Sequence, residues 1–131
     1  MVNLIIPMAG AGQRFFDSGY SDYKPFIKIF DKPMLDYILD NAEGYADSIF
    51  IVCTTAIKKQ IPPYWFQKYN INIVVVEPHK LGPSYTLILA EKYLPLDEVA
   101  IISYVDIHWK WPKSFKKEEM NKSNIVFTHF G

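Results

Sequence analysis

The chain has 131 residues, half of them hydrophobic, with 14 basic and 14 acidic side chains. That length allows one domain with a real core, and the balanced charge argues against a nucleic-acid-binding or membrane-surface protein, since both usually carry a basic excess. The single cysteine, Cys53, lies in an apolar run and predicts a buried thiol in a reducing, cytoplasmic compartment. We therefore expect neither a nucleic acid nor a membrane as partner.

The predicted elements begin with an apolar run at residues 2–8, typical of a strand covered on both faces. Four later runs have the length and composition of strands: residues 48–54, 71–76, 98–105 and 124–128. Three segments carry helical spacing or helix-start signals: a helix opened by Pro33, carrying Met34 to Ala42 and closed by Gly44, a short aromatic helix at 64–69, and a helix from Gly82 and Pro83 through Tyr93.

This alternation of strands and helices predicts an α/β fold with a mainly parallel sheet and right-handed crossovers. In such sheets ligands bind beyond the carboxyl ends of the strands. The segments at residues 9–14 and 77–82, and Asp106, all follow predicted strand ends. We therefore expect them to meet at one edge of the sheet.

The segment after the first strand reads Ala-Gly-Ala-Gly-Gln-Arg and is a candidate phosphate-binding loop. Glycine lets the backbone approach a ligand closely, and Arg14 and Lys24 add a donor fork and a point charge. A Walker A loop does not fit, because Gln13 follows Gly12. A dinucleotide-binding fingerprint does not fit either, because Phe15 stands where its third glycine belongs.

The same loop matches the A-G-x-G-x-R pattern of the sugar-phosphate-type nucleotidyltransferases, followed after about ten residues by a Lys-Pro pair, here Lys24 and Pro25. Residues 31–35, Asp-Lys-Pro-Met-Leu, resemble the usual G-K-P-M-L. The chain thus resembles the N-terminal half of the NDP-sugar pyrophosphorylases and their cytidylyl- and uridylyltransferase relatives. The resemblance implies a Rossmann-like three-layer sandwich, truncated here, with the acceptor-binding part and a second metal ligand beyond Gly131.

The resemblance also implies a reaction: transfer of NMP from an NTP to a sugar phosphate or another small phosphomonoester, with release of pyrophosphate and dependence on Mg²⁺. It implies a role in capsule or cell-surface polysaccharide synthesis by family association alone. The residues that it assigns are Arg14 and Lys24 as catalytic, Asp106 as metal ligand, and Met8, Ala9, Gly10, Ala11, Gly12, Glu77 and Gly82 as nucleotide-binding.

Three departures from the family pattern bear on these expectations. Pro83 replaces the usual threonine after Gly82, and Tyr104 and Val105 replace small residues before Asp106. Glu77 stands where relatives often carry a glutamine that contacts the base. A glutamate offers acceptors only, which suits the amino group of cytosine and favours CTP over UTP or dTTP.

Two other functions remain open at this point. The chain is also consistent with a non-catalytic nucleotide-binding or regulatory module. An NAD-dependent oxidoreductase is disfavoured by Phe15 and by the cationic pair Arg14 and Lys24. A truncated sheet would expose an edge and an apolar face, so a homo-oligomer is a further expectation. Lys28 and Lys32 are candidate extra phosphate contacts.

Overall fold

The computed structural model describes residues 2–9, 26, 28–95 and 97–103. The strands in this part are β1 (Val2–Pro7), β2 (Lys28–Ile29), β3 (Lys32–Pro33), β4 (Ser48–Cys53), β5 (Ile71–Val75) and β6 (Val99–Ile102). The α-helices are α1 (Met34–Ala42), α2 (Thr55–Lys58), α3 (Tyr64–Lys68) and α4 (Pro83–Ala90), and a 3₁₀ helix (Glu91–Tyr93) follows α4.

The sheet has the strand order β5-β4-β1-β6, and every pairing within it is parallel. Strand β1 lies inside the sheet, and all six of its residues are buried. A strand with neighbours on both sides and helices on both faces needs an unbroken apolar sequence. The run predicted at residues 2–8 meets that need.

Alternation of side chains divides the core between the two faces of the sheet. Leu4 and Ile6 of β1 point to one face and pack in a cluster with residues of α1, α2 and α3. Ile5 of β1 and Val52 of β4 point to the other face and pack with residues of α4. Helices on both sides of a parallel sheet make three layers, which confirms the predicted Rossmann-like sandwich.

The predicted elements and the observed ones agree except near their ends. The predicted helix at 82–93 changes from α to 3₁₀ after Ala90. The strand predicted from Glu98 begins one residue later, because the Glu98 N–H turns back to the Pro95 carbonyl at 3.2 Å. The strand predicted at 124–128, and the end of the one predicted at 98–105, lie outside the described residues.

Two small elements were not predicted, the β2–β3 hairpin and helix α2. Helix α2 begins because the Thr54 hydroxyl accepts a hydrogen bond from the Ile57 N–H at 3.4 Å, an N-cap contact. The hairpin turn consists of Phe30 and Asp31, with φ angles of 53° and 65°. Positive φ at both central residues defines a type I′ turn, whose preferred sequence is Asn-Gly.

A polar network around Asp40 joins the hairpin, α1 and α3. Its carboxylate accepts hydrogen bonds from the Lys32 ammonium, the Tyr69 hydroxyl and, at 3.0 Å, the Lys68 ammonium. Partial burial by itself raises the pKa of Asp40, but these three donors outweigh it and lower that pKa from 3.8 to about 2. The network therefore stabilises the charged carboxylate against acid.

We expect Phe30→Asn to raise the free energy of unfolding by about 1 kcal/mol. A bulky L-residue in the left-handed region costs roughly 1–2 kcal/mol, whereas asparagine tolerates that region. Because the Phe30 side chain is 94% exposed, its removal loses little burial. Phe30→Leu, which keeps a poorly suited residue at the same φ, should leave stability nearly unchanged. Urea unfolding of the three proteins measures the difference, and a destabilised Phe30→Asn would contradict it.

We expect Asp40→Asn to lower stability at pH 7 and to flatten its acid dependence. A carboxyl whose folded pKa is depressed contributes stability above its unfolded pKa and loses it as pH falls, here from about 4 towards about 2. For a partly exposed group we expect about 0.5–1 kcal/mol at neutral pH. Urea unfolding from pH 7 to pH 2 tests this, with exposed Glu43→Gln as control. Parallel pH profiles for wild type and Asp40→Asn would refute it.

Candidate functional site

The carboxyl ends of the parallel strands lie together at one edge of the sheet. Beyond β1, the Met8 N–H donates to the Val52 carbonyl at 2.7 Å. Beyond β5, the Val76 N–H donates to the Cys53 carbonyl at 2.8 Å. Beyond β6, the Ser103 N–H donates to the Ile5 carbonyl at 3.1 Å. Each of these segments therefore leaves the sheet at the edge where α/β folds bind ligands.

Several predicted site residues lie outside the described part of the chain. They are Gly10, Ala11, Gly12, Arg14, Lys24 and Asp106. In the sequence the first of them directly follows Ala9, and Asp106 follows Ser103 by three residues. Their assigned roles remain predictions.

Met8 and Ala9, both predicted to bind nucleotide, are buried at the end of β1. Met8 packs in the cluster with α1, α2 and α3, whereas Ala9 packs in the cluster with α4. Since the side chains serve the two halves of the core, only their backbone groups are left for a ligand. Their apolar identity is therefore explained by packing.

Glu77 is exposed two residues beyond β5 and lines a cleft of about 630 Å³. Its carboxylate has no hydrogen bond or ion pair with another described residue, so both oxygens are available as acceptors. The residues that line the cleft are Thr54, Thr55, Ala56, Lys59, Val75, Val76, Glu77, Pro78, Leu89 and Tyr93. Met8, Ala9 and Gly82 are not among these lining residues.

Gly82 occupies the N-cap position of α4 with a φ of 94°. Its carbonyl accepts hydrogen bonds from the N–H and the hydroxyl of Thr86, at 3.3 and 3.4 Å. A Cβ placed on Gly82 would meet no atom within 4 Å. Glycine is therefore required by the backbone conformation and not by lack of space, and the following Pro83 suits the first helical position.

His79, in the loop between β5 and α4, has three partners in the structure. The Leu81 N–H donates to Nδ1 of His79 at 3.1 Å, and Nε2 lies 2.8 Å from the Thr86 hydroxyl oxygen. Because Nδ1 accepts, the ring hydrogen is assigned to Nε2, which donates to Thr86. The ring also meets Tyr85 edge to face, with centroids 4.8 Å apart. The contact with Leu81, from a backbone N–H to a side chain two residues earlier, resembles an Asx turn. That local spacing is the one feature of the sequence that could have indicated it.

Cys53 ends β4 beside this edge and is fully buried, as predicted. Burial raises the pKa of the Cys53 thiol to about 11, and the nearby Lys58 lowers it only slightly. A thiol with this pKa is protonated at neutral pH and is a poor nucleophile. Cys53 is therefore a packing residue.

Of the two further lysine candidates, Lys28 is exposed in β2, whereas Lys32 has a structural partner. Lys32 pairs with Asp40, and its ammonium lies 4.7 Å from the centre of the Tyr37 ring. The hydrogen bond to Asp40 raises the pKa of Lys32.

Among the described residues no three His, Cys, Asp or Glu side chains are grouped closely enough to hold a metal ion. No helix in this part of the chain has the length and apolar character to cross a membrane.

Comparison with known families agrees with this fold. Residues 4–110 match the model of the MobA-like NTP transferase domain. The match covers well over half of the chain, and the chain belongs to this family. The resemblance to nucleotidyltransferases seen in the loop and Lys-Pro motifs is thereby confirmed.

Two curated relatives align with about three quarters of this chain. The bifunctional protein GlmU of Methanococcus vannielii is 28% identical over 96 residues, which are 73% of this chain and 23% of the relative. The UTP–glucose-1-phosphate uridylyltransferase 2 of Staphylococcus saprophyticus is 30% identical over 101 residues, 77% of this chain and 33% of the relative. The chain thus spans a third or less of the length of these relatives.

Solved structures share the fold at low sequence identity. The UTP-bound UGPase from Acinetobacter baumannii superposes with a TM-score of 0.64 at 18% identity, covering 86% of this chain and 48% of that one. The nucleoside-diphosphate-sugar pyrophosphorylase from Vibrio cholerae RC9 gives a TM-score of 0.62 at 17% identity, covering 84% and 51%. Both likenesses support the Rossmann-like architecture.

Proposed function

We propose that this chain is the nucleotide-binding part of a nucleotidyltransferase that transfers NMP from an NTP to a sugar phosphate or another small phosphomonoester. The observation that carries the proposal is the meeting of the ends of β1, β5 and β6 at one edge, in a chain whose residues 4–110 match the family. The relative named for UTP and glucose 1-phosphate supports these two substrate classes.

The proposed reaction needs no covalent bond to the protein. An oxygen of the phosphomonoester attacks the α-phosphorus of the NTP in line and forms the new P–O bond. The bond from that phosphorus to the bridging oxygen breaks, and pyrophosphate leaves with the electron pair. The protein then contributes positioning and charge neutralisation.

Each proposed role follows from the chemistry of the residue. Backbone N–H groups of residues 9–12 would hold the triphosphate, because glycines allow the close approach that such contacts need. Arg14 would bind the departing pyrophosphate through its fork of donors. Lys24 would neutralise charge near the reacting phosphorus.

Mg²⁺ is part of the proposal, with Asp106 as its ligand. Asp106 follows Ser103 of the described chain by three residues, and its carboxylate would be joined by phosphate oxygens and water as the donor set. Such a set suits Mg²⁺, which usually takes one or two carboxylates plus phosphates. The ion would supply charge neutralisation on the phosphates.

For the base, we propose that Glu77 favours cytosine. Its exposed carboxylate has acceptors only, and cytosine presents an amino donor where uracil presents a carbonyl. CTP is therefore the nucleotide proposed for this site, with UTP and dTTP as the alternatives to be compared.

The first experiment is calorimetric titration of this chain with CTP, UTP, dTTP, ATP and NADH, with and without Mg²⁺, followed by assays of pyrophosphate release with sugar phosphates. Mg²⁺-dependent binding of one NTP together with turnover supports the transferase. Binding without turnover under all conditions favours the non-catalytic nucleotide-binding module. Tight binding of NADH alone would overturn both.

We expect Arg14→Ala and Lys24→Ala each to lower turnover by roughly 10²–10⁴-fold, the scale of losing one preorganised electrostatic donor. Steady-state release of pyrophosphate measures the loss. Lys92→Ala, which removes an exposed cation from the 3₁₀ helix, is the matched control and should keep wild-type turnover. Rates near wild type in both site variants would remove these two assignments.

We expect Glu77→Gln to shift the ratio of CTP to UTP affinity towards UTP by about tenfold, because an amide can pair with the N–H and carbonyl edge of uracil. Calorimetric dissociation constants for both nucleotides give the ratio. Glu91→Gln, at an exposed glutamate of the 3₁₀ helix, should leave the ratio unchanged. An unchanged ratio in Glu77→Gln, or a wild-type preference for UTP or dTTP, would disprove the role of Glu77 in base choice.

A further inference from the structure

The loop at residues 77–82 joins β5 to α4. It carries Glu77 and Gly82, two of the described residues that are predicted to bind nucleotide. Just before the loop, the Val76 N–H donates a hydrogen bond to the Cys53 carbonyl. At the end of the loop, the Thr86 N–H donates to the Gly82 carbonyl. The side chains between these anchors are mostly exposed, Leu81 at 69%. Burial therefore does little to fix the conformation of the loop.

His79 supplies the internal contacts that burial does not. Among the described residues, the hydrogen bonds made by residues 77–81 are the two of His79: one from the Leu81 N–H to Nδ1, and one from Nε2–H to the Thr86 hydroxyl. The first closes a turn within the loop, and the second ties that turn to helix α4. The Leu81 N–H is thereby used within the protein and is not available to a ligand.

Thr86 relays this contact to Gly82. Its hydroxyl accepts from His79 and lies 3.4 Å from the Gly82 carbonyl, to which it donates. Thr86 is 1% exposed, so its hydroxyl has no bulk water as a substitute partner. A hydroxyl that accepts one hydrogen bond and donates another is held in one orientation, and the bonds strengthen each other.

We propose that His79 is a positioning residue that latches residues 77–82 onto α4 through Thr86, and so holds Glu77 and Gly82 in the conformation that binds the nucleoside. This inference rests on the proposed function. A loop that is already ordered spares the ligand the entropy cost of ordering it, so the latch acts on affinity for nucleotide. The reacting phosphates are bound elsewhere, so kcat should change little.

The test is a set of variants of this chain titrated with CTP and UTP in the presence of Mg²⁺. His79→Phe keeps a ring against Tyr85 but deletes both hydrogen bonds, and Thr86→Val deletes the hydroxyl at similar volume. We expect each to weaken binding of the preferred nucleotide about tenfold, the loss of one or two net hydrogen bonds. Because both act through one contact, the double variant should be within about twofold of His79→Phe.

His79→Asn is the rescue variant. Its carbonyl oxygen accepts from the Leu81 N–H in an Asx turn, which restores the first half of the latch. We expect binding within about threefold of wild type, intermediate between wild type and His79→Phe. In variants that turn over, KM for the NTP should rise while kcat stays within about threefold. A fall in kcat with constant KM would overturn the positioning role.

Amide exchange and histidine NMR test the latch without any nucleotide. The Leu81 amide should exchange faster in His79→Phe, while the Val76 amide in the sheet stays as in wild type and serves as internal reference. Wild-type His79 should show the Nε2–H tautomer. The opposite tautomer, or unchanged exchange of Leu81, overturns the latch.

The outcomes of the binding experiment separate the two proposals. A wild-type chain that binds no nucleotide overturns the proposed function, and the role of the latch with it. Wild-type binding that is unchanged in His79→Phe overturns the latch alone. Additive losses in the double variant overturn the route through Thr86. An Asn variant that binds as weakly as the Phe variant overturns the role of the turn at Leu81.

Discussion

The burial of β1 on all sides is the constraint on which the rest of the structure depends. The strand is paired with β4 and β6 and is covered by helices on both faces, so all six of its residues are buried. Because these side chains are buried, side chains that contact a ligand can only follow the strand, after Met8 and Ala9. Because parallel neighbours end at the same edge, this one buried strand fixes where residues from distant parts of the sequence can meet.

Two of the strand ends at that edge, those of β1 and β5, are ordered in different ways. At β1 the side chains of Met8 and Ala9 belong to the core, so the ligand-facing chemistry is left to the backbone. Beyond β5 the side chains are exposed, and order comes from hydrogen bonds centred on His79. Burial at the end of β1 and hydrogen bonds beyond β5 are thus two different ways of holding the backbone in one conformation.

The opposite part of the molecule is organised by charge. Asp40, on α1, joins that helix to the hairpin through Lys32 and to the end of α3 through Lys68 and Tyr69. This leaves Lys32 committed to Asp40, although its place in a Lys-Pro motif suggested a phosphate contact. The motif resembled a binding element, but Lys32 pairs with Asp40, which lies eight residues later on α1.

The sequence by itself determined the four strands of the parallel sheet, the longer helices, the three-layer class and the family, because continuous apolar runs, helical spacing and glycine or proline signals act over a few neighbouring residues. It did not determine the β2–β3 hairpin, because Phe30, the first residue of its turn, carries no signal for positive φ. Only the tertiary structure assigned partners to His79 and paired Lys32 with Asp40. Those outcomes depend on which side chains become neighbours once helices pack on the sheet, and no local pattern encodes that.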